Sequence, residues 1–189
     1  MRVGILHIGQ LKSASTERIQ ETLNDVFPAT KVCVIQKEVS LPEEAYSEAR
    51  KQYRSDLILK MLKEYAEEHP EFDRVLGIVD VDISTPGLNF VFGEAEHPGK
   101  AALISLWRLR PEFYQQPSNE ELFEERSAKE AVHELGHTLG LDHCTNPFCV
   151  MHFSNSILET DVKKTFFCNK CSITVETALA KLGKSLEGV

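Results

Sequence analysis

Apolar residues alternate or run together over residues 2–9 and 31–39, and their enrichment in Val and Ile predicts a strand in each. Between them Ile19, Leu23 and Phe27 recur at helical spacing, which predicts a helix from Ser13 to Phe27 with Ser13 and Thr16 as candidate caps. Leu41-Pro42 breaks the second strand. From about Glu43 to Glu68 the apolar positions (Tyr53, Leu57, Leu59, Leu62, Tyr65) predict one long helix, stopped by His69-Pro70. Arg74 to Ile83 is nearly continuous in apolar residues at its start and reads as a buried strand. After the turn at Thr85-Pro86-Gly87, two more strands are expected, Leu88 to Ala95 and Ala101 to Leu109, joined at His97-Pro98-Gly99-Lys100.

Strand, helix, strand, helix, strand implies an α/β fold with a mostly parallel sheet and helices on its faces. The short link before the last strand makes one of the final pair antiparallel. Ser118-Asn119-Glu120-Glu121 carries a capping-box pattern and opens a helix running to about Leu139. Gly140 suits the left-handed residue that ends such a helix. Glu120, Glu121, Glu124 and Glu125 crowd the helix start, where carboxylates on a solvated face complement the helix dipole. No repeat, low-complexity tract or linker divides the chain. Residues 1–189 therefore read as a single domain, with a sheet-and-helix part over 1–117 and a second part over 118–189.

Composition narrows the function class. A chain of 189 residues with 42% hydrophobic and 26% charged residues is ordinary for a soluble domain. Its net charge of -8 argues against a nucleic-acid surface. No apolar run approaches the roughly 20 residues needed to span a bilayer, so no membrane role is expected. The opening Met1 to Ile8 is too short and too alternating for a signal peptide. The expected compartment is the cytoplasm, and the expected state a monomer. In that compartment clustered cysteines bind metal more often than they pair. Cys33 stands alone in a predicted strand and reads as a buried thiol without a role.

The chemistry is concentrated in H-E-L-G-H-T-L-G-L-D-H, residues 133–143. His133 and His137 lie four apart, so both rings project from one helix face toward one point. Neutral imidazole is a good zinc ligand at about 2.0–2.1 Å. Glu134, about 100° further around the helix, reaches the open coordination position without ligating. There it would act as general base and then acid toward a water whose pKa the metal lowers to about 7. Gly140 turns the chain and His143 returns as the third ligand, which leaves one position free. Met151 follows, placed to give the metal an apolar floor.

H-E-x-x-H-x-x-G-x-x-H followed by a methionine turn is the signature of the metzincin zinc peptidases. Cys144 directly after the third histidine, then Cys149 and Met151, then C-x-x-C at Cys168 and Cys171, make the chain look like an archaemetzincin. The resemblance implies a metzincin-like fold: a mixed, mostly parallel twisted sheet with one antiparallel edge strand, an active-site helix, a Met-turn and a C-terminal helix. It implies a zinc metallopeptidase acting on peptides, small ones above all and in an aminopeptidase-like manner. A non-catalytic zinc-dependent peptide-binding module is the alternative, and intact Glu134 counts against it.

Cys144, Cys149, Cys168 and Cys171 could close a second, tetrahedral site, giving two zinc ions per chain, one catalytic and one structural. Two disulfides and a redox C-x-x-C are the other readings of the same residues. A metal on these cysteines would fix His143 and Met151 together. The resemblance also implies that substrate pairs with an edge strand above the zinc, best matched by Leu88 to Ala95. One departure is Phe153, where some metzincins place a tyrosine that helps stabilise the oxyanion. His152, Tyr114 and His97 are the candidate substitutes.

Overall fold

β1 (Arg2–Ile8), β5 (Arg74–Val79) and β8 (Ala101–Ser105) lie side by side and parallel, with Ile5 opposite Leu76 and Leu76 opposite Ala102. A computed structural model describes residues 1–11 and 16–186. β2 (Lys31–Val34) adds to β1 in parallel, and β7 (Gly93–Ala95) closes the far edge antiparallel to β8, giving the order β2-β1-β5-β8-β7. The side chains of the central strands alternate between two apolar layers, because successive residues of a strand point to opposite faces. Val3, Ile5, Leu76, Ile78, Ala102 and Ile104 pack with Ile19 and Leu23 of α1 (Thr16–Val26) and with Ala131, Val132 and Leu135 of α3 (Glu120–Thr138). Leu6, Ile8, Val75, Val79 and Leu103 pack with Ile58 and Leu62 of α2 (Ser55–Glu68). Each such burial contributes about 1.5–3 kcal/mol relative to exposure. The mostly parallel α/β architecture with one antiparallel edge strand therefore follows from strands buried on both faces.

Several boundaries differ from the sequence expectation. The segment 43–68 is not one helix. Glu43–Ala45 forms a single 3₁₀ turn, β3 (Tyr46–Ser47) and β4 (Gln52–Arg54) make a short hairpin, and only then does α2 begin. The hairpin is recruited by β6 (Ile83–Ser84), which pairs with β4 in parallel and forms a separate small sheet. The strand expected over 74–83 is divided by that recruitment. The strand expected over 31–39 ends at Val34, and that over 101–109 passes into a 3₁₀ turn at Trp107–Leu109. Of Leu88 to Ala95, only Gly93–Ala95 joins the sheet; Val91 donates its N–H to Ile83 instead. Cys33 is exposed, not buried, because it points away from the core on edge strand β2. Ser13, a candidate cap of α1, lies outside the described residues.

Between α3 and α4, residues 139–156 form no helix or strand. α4 (Ile157–Val162) is a six-residue helix with a capping box between Ser156 and Glu159, and α5 (Asn169–Leu186) is the C-terminal helix. Three charged links tie the α4 segment to α3. Arg126 makes a bidentate pair with Asp161 at 2.7 Å per contact, Lys129 Nζ donates to the Thr160 carbonyl, and Lys163 Nζ lies 3.5 Å from Glu130 Oε2. No described helix is long and apolar enough to cross a membrane.

Candidate metal centre

The site begins with the way α3 starts and stops. Asn119, rather than Ser118, is the N-cap: its Oδ1 accepts the Leu122 N–H at 3.1 Å. At the other end Gly140 adopts φ +88° and donates to the His137 carbonyl, while Leu141 N–H reaches back to Gly136. That pair of bonds is a Schellman closure, and the left-handed residue in it favours glycine. Arg74 of β5 holds the last turn from outside, donating to Thr138 Oγ1 at 3.0 Å and to the Thr138 carbonyl at 3.3 Å. The helix terminus that carries His137 is thereby fixed to the sheet.

The turn also orients the rings. His137 Nδ1 donates to the Leu141 carbonyl at 2.7 Å, and His133 Nδ1 donates to the Val150 carbonyl at 2.8 Å. Each ring therefore carries its proton on Nδ1, so each Nε2 is a bare lone pair. Yet the two Nε2 atoms sit only 3.1 Å apart. Two unprotonated nitrogens that close repel unless a cation lies between them; two imidazoles bound at about 2.05 Å in a tetrahedron stand roughly 3.3 Å apart. The His143 ring completes the group, stacked 5.3 Å from His133 and edge-on 4.8 Å from His137, and the ligand nitrogens of all three lie within 4.8 Å of one another. Burial lowers the affinity of all three rings for a proton, taking His137 down to about 4, so the ligands stand neutral at pH 7. The donor set and its geometry fit zinc.

Met151 is fully buried and packs against α3 at Gly136, one residue before His137. Its carbonyl receives the Cys144 N–H at 2.8 Å, which folds the chain after His143 back under the site. Cys144, Cys149, Cys168 and Cys171 converge just beyond, with sulfur atoms within 4.8 Å of one another and Cys144 Sγ 3.7 Å from Cys168 Sγ. A disulfide needs about 2.05 Å. Two thiolates on one zinc at about 2.3 Å stand roughly 3.8 Å apart. Backbone N–H groups of Asn146 and Cys168 point at Cys144 Sγ and Cys149 Sγ, as they would at thiolates. The Cys171 backbone N–H draws the Cys168 thiol down to about 7, while burial pushes Cys149 and Cys171 up. The four free thiols fit a closed tetrahedral metal site.

Glu134 opens onto a cleft of about 540 Å³ that also exposes the three histidines and is walled by residues 88–95. Burial, together with the touching carboxyl of Glu130 one helical turn earlier, raises its pKa well above the usual carboxylate range. β7 presses directly on it: a Cβ at Gly93 would lie 2.6 Å from Glu134 Oε1 and 2.7 Å from the Leu103 carbonyl. The carbonyl belongs to the sheet and does not yield. Gly93→Ala is therefore expected to displace Glu134 and cut peptide hydrolysis by about 10-fold or more, the cost of a small misplacement of a reacting group. Zinc content should stay unchanged. Metal analysis beside kcat measurement checks this, and unaltered kcat would show that Glu134 is not held in place by β7.

Of the oxyanion candidates, His97 alone lines the cleft among the described residues, its Nε2 shared between the Leu141 carbonyl and Asp142. His152 is used within the turn, donating to the Cys144 carbonyl, and Tyr114 packs on Phe113 away from the cleft. The Phe153 ring lies tilted against the His143 ring, with centroids 4.8 Å apart. Two residues that sequence reasoning passed over, Glu130 and Lys163, also line the cleft. A signal existed for the first: Glu130 precedes Glu134 by the same four residues that separate the two helix histidines, so it shares that face.

Residues 3–177 match the family model described as Peptidase family M54. The archaemetzincin of Methanocaldococcus jannaschii is 46% identical over 171 residues, 90% of either chain. The crystal structure of archaemetzincin from Methanopyrus kandleri superposes with a TM-score of 0.83 at 39% identity, covering 95% of this chain and 96% of that one. A zinc-dependent peptidase from Methanocorpusculum labreanum gives a TM-score of 0.82 at 26% identity, over 92% and 99%.

Proposed function

The chain belongs to peptidase family M54, the archaemetzincins, and is a zinc-dependent metallopeptidase; from that premise we propose that it hydrolyses small peptides at the cleft beside β7, with His133, His137 and His143 as the ligands of the catalytic zinc. The observation that carries the ligand assignment is the pair of bare Nε2 atoms held 3.1 Å apart by two main-chain carbonyls. Zinc, when bound there, supplies the Lewis acidity that makes water nucleophilic at neutral pH and polarises a peptide carbonyl.

The chain's own residues do the rest. Glu134 takes a proton from the attacking water, and its carboxyl then gives that proton to the leaving nitrogen as the C–N bond breaks. Its raised pKa suits a group that must hold the proton between the two steps. The free edge of β7, the last strand of the sheet, binds an extended peptide by main-chain pairing, which fixes the scissile bond above the three histidines. A small peptide with a free amine suits a cleft that also displays Glu94 and Asp142, in keeping with aminopeptidase-like action. The second zinc belongs on Cys144, Cys149, Cys168 and Cys171, where it is structural because no position is left for water. Both parts of the chain share one apolar layer, which supports a single catalytic domain over 1–189. Four reduced thiols at a metal site support a cytoplasmic setting.

Digestion of a peptide library by the zinc-loaded protein, with product termini mapped by mass spectrometry, tests this reading. Cleavage is expected to vanish with a chelator and return when zinc is added back. Peptides bound by the zinc-loaded protein without turnover would replace the enzyme by a peptide-binding module.

A further inference from the structure

The cleft contains a cation that the peptidase reaction does not call for. Lys163 follows α4, its side chain is 1% exposed, and it lines the cleft with Glu130, Glu134 and His133. Among the described residues no other lysine or arginine lines that cleft. Burying an ammonium costs several kcal/mol unless good partners offset it. Here the partner is Glu130 Oε2 at 3.5 Å, and that buried oxygen accepts no hydrogen bond. The ion pair is loose, so the ammonium retains donor capacity toward the cleft. Glu130 is drawn the other way, to the carboxyl of Glu134. The remaining wall contributes the Ser154 hydroxyl, buried and also without a partner.

Charge decides which ligand this arrangement suits. The three histidines are neutral. With a divalent ion among them, metal and Lys163 supply three positive charges against the two of Glu130 and Glu134; Glu94 and Asp142 also line the cleft and bring its total to one net negative charge, so the suitability for a carboxylate is local to Lys163. Lys163 is close enough to the metal cage that its charge disfavours protons on all three rings.

We propose that Lys163 is a specificity-determining residue whose ammonium, loosely held by Glu130, binds a carboxylate of the substrate within the catalytic cleft. The carboxylate belongs to an acidic side chain or to the chain terminus of a short peptide. It replaces the loose Glu130 contact with a hydrogen-bonded pair, and Ser154 is placed to donate to it. A site built around a buried charge rejects a ligand lacking the complementary one more sharply than an apolar pocket rejects a misfit. The free amine and the carboxylate address different walls of the cleft, so this selection adds to the proposed preference for small peptides and rests on that reading of the site.

Binding of zinc-chelating hydroxamates to the zinc-loaded protein tests it without depending on turnover. One probe ends in glutamine amide, the second in glutamate amide, and the third in glutamine with a free terminal carboxylate. The expected result is that one carboxylate probe binds the wild-type chain about 10-fold more tightly than the neutral probe, and which one does so identifies the source of the carboxylate. Lys163→Met should bring all three to equal affinity with both metals retained. Because that variant leaves Glu130 buried without its cation, Glu130→Gln/Lys163→Met is the companion: it removes both charges, and the preference should be lost there as well. Glu130→Gln alone should widen the preference, as it frees the ammonium. An undiminished preference in the zinc-replete lysine variants overturns the assignment, as does equal binding of the three probes to wild type. If the neutral probe itself fails to bind the zinc-loaded wild type, the catalytic-centre reading falls and the subsite with it.

Discussion

Glu134→Gln should leave both metals in place and reduce peptide hydrolysis by about 10²–10⁴-fold, the usual contribution of a positioned general base. The geometry makes the comparison clean. Glu134 is 4% exposed and lies between β7 and Glu130, so an isosteric amide fills the same space. The amide cannot take a proton from water, and the histidine cage is oriented by Val150 and Leu141 carbonyls that the substitution does not touch. Kinetics beside metal analysis reads the outcome. Retention of full activity with full zinc would remove Glu134 from the reaction, whereas loss of zinc would mean that the carboxylate helps to hold the cage.

The second large effect is expected at the cysteines. Cys171→Ser should lower bound zinc from two ions to one and reduce the midpoint of thermal unfolding by about 8–16 °C. The estimate takes a ligand present at about 1,000 times its dissociation constant as stabilising by roughly 4 kcal/mol, with each kcal/mol worth about 2–4 °C in a chain of this size. Cys171 is buried, and its sulfur belongs to a cluster in which Cys144 directly follows His143. Activity should therefore fall as well, although no catalytic group is altered, because the third histidine and the Met-turn lose their support. Two zinc ions retained per chain in Cys171→Ser, measured by elemental analysis, would rule out the four-cysteine site. An unchanged unfolding midpoint with one ion would rule out its structural role.

These residues were legible in the sequence because their relations are local. His133 and His137 need only a helix to meet, Gly140 only a turn, and the next 31 positions hold everything up to Cys171. The buried parallel strands were equally plain, since β1 and β5 are apolar on both faces. Reading failed where structure depends on distant partners. Tyr46 to Arg54 has helical spacing on paper, but Tyr53 pairs with Ile83, 30 residues away, and Lys51 takes φ +52° to close the hairpin. Leu88 to Phe92 looks like strand, yet its Val91 and Phe92 backbone groups bond to Ile83 and Ser105 outside any ladder. Glu130 and Lys163 were hidden for another reason. Charged residues on a helix and after it read as solvated, and nothing local reveals that the two meet across 33 positions inside a cleft.

Apart from one short helix and its charged links to α3, the stretch between α3 and α5 is held by bonds to sulfur, ring nitrogen and isolated carbonyls. Such a segment has few backbone ladders of its own, so with the proposed zinc ions bound its order would draw on the metals as well as on its buried contacts with α3. In a cell short of zinc the chain would keep its α/β half folded while this stretch opened to degradation. Its lifetime would then report zinc availability.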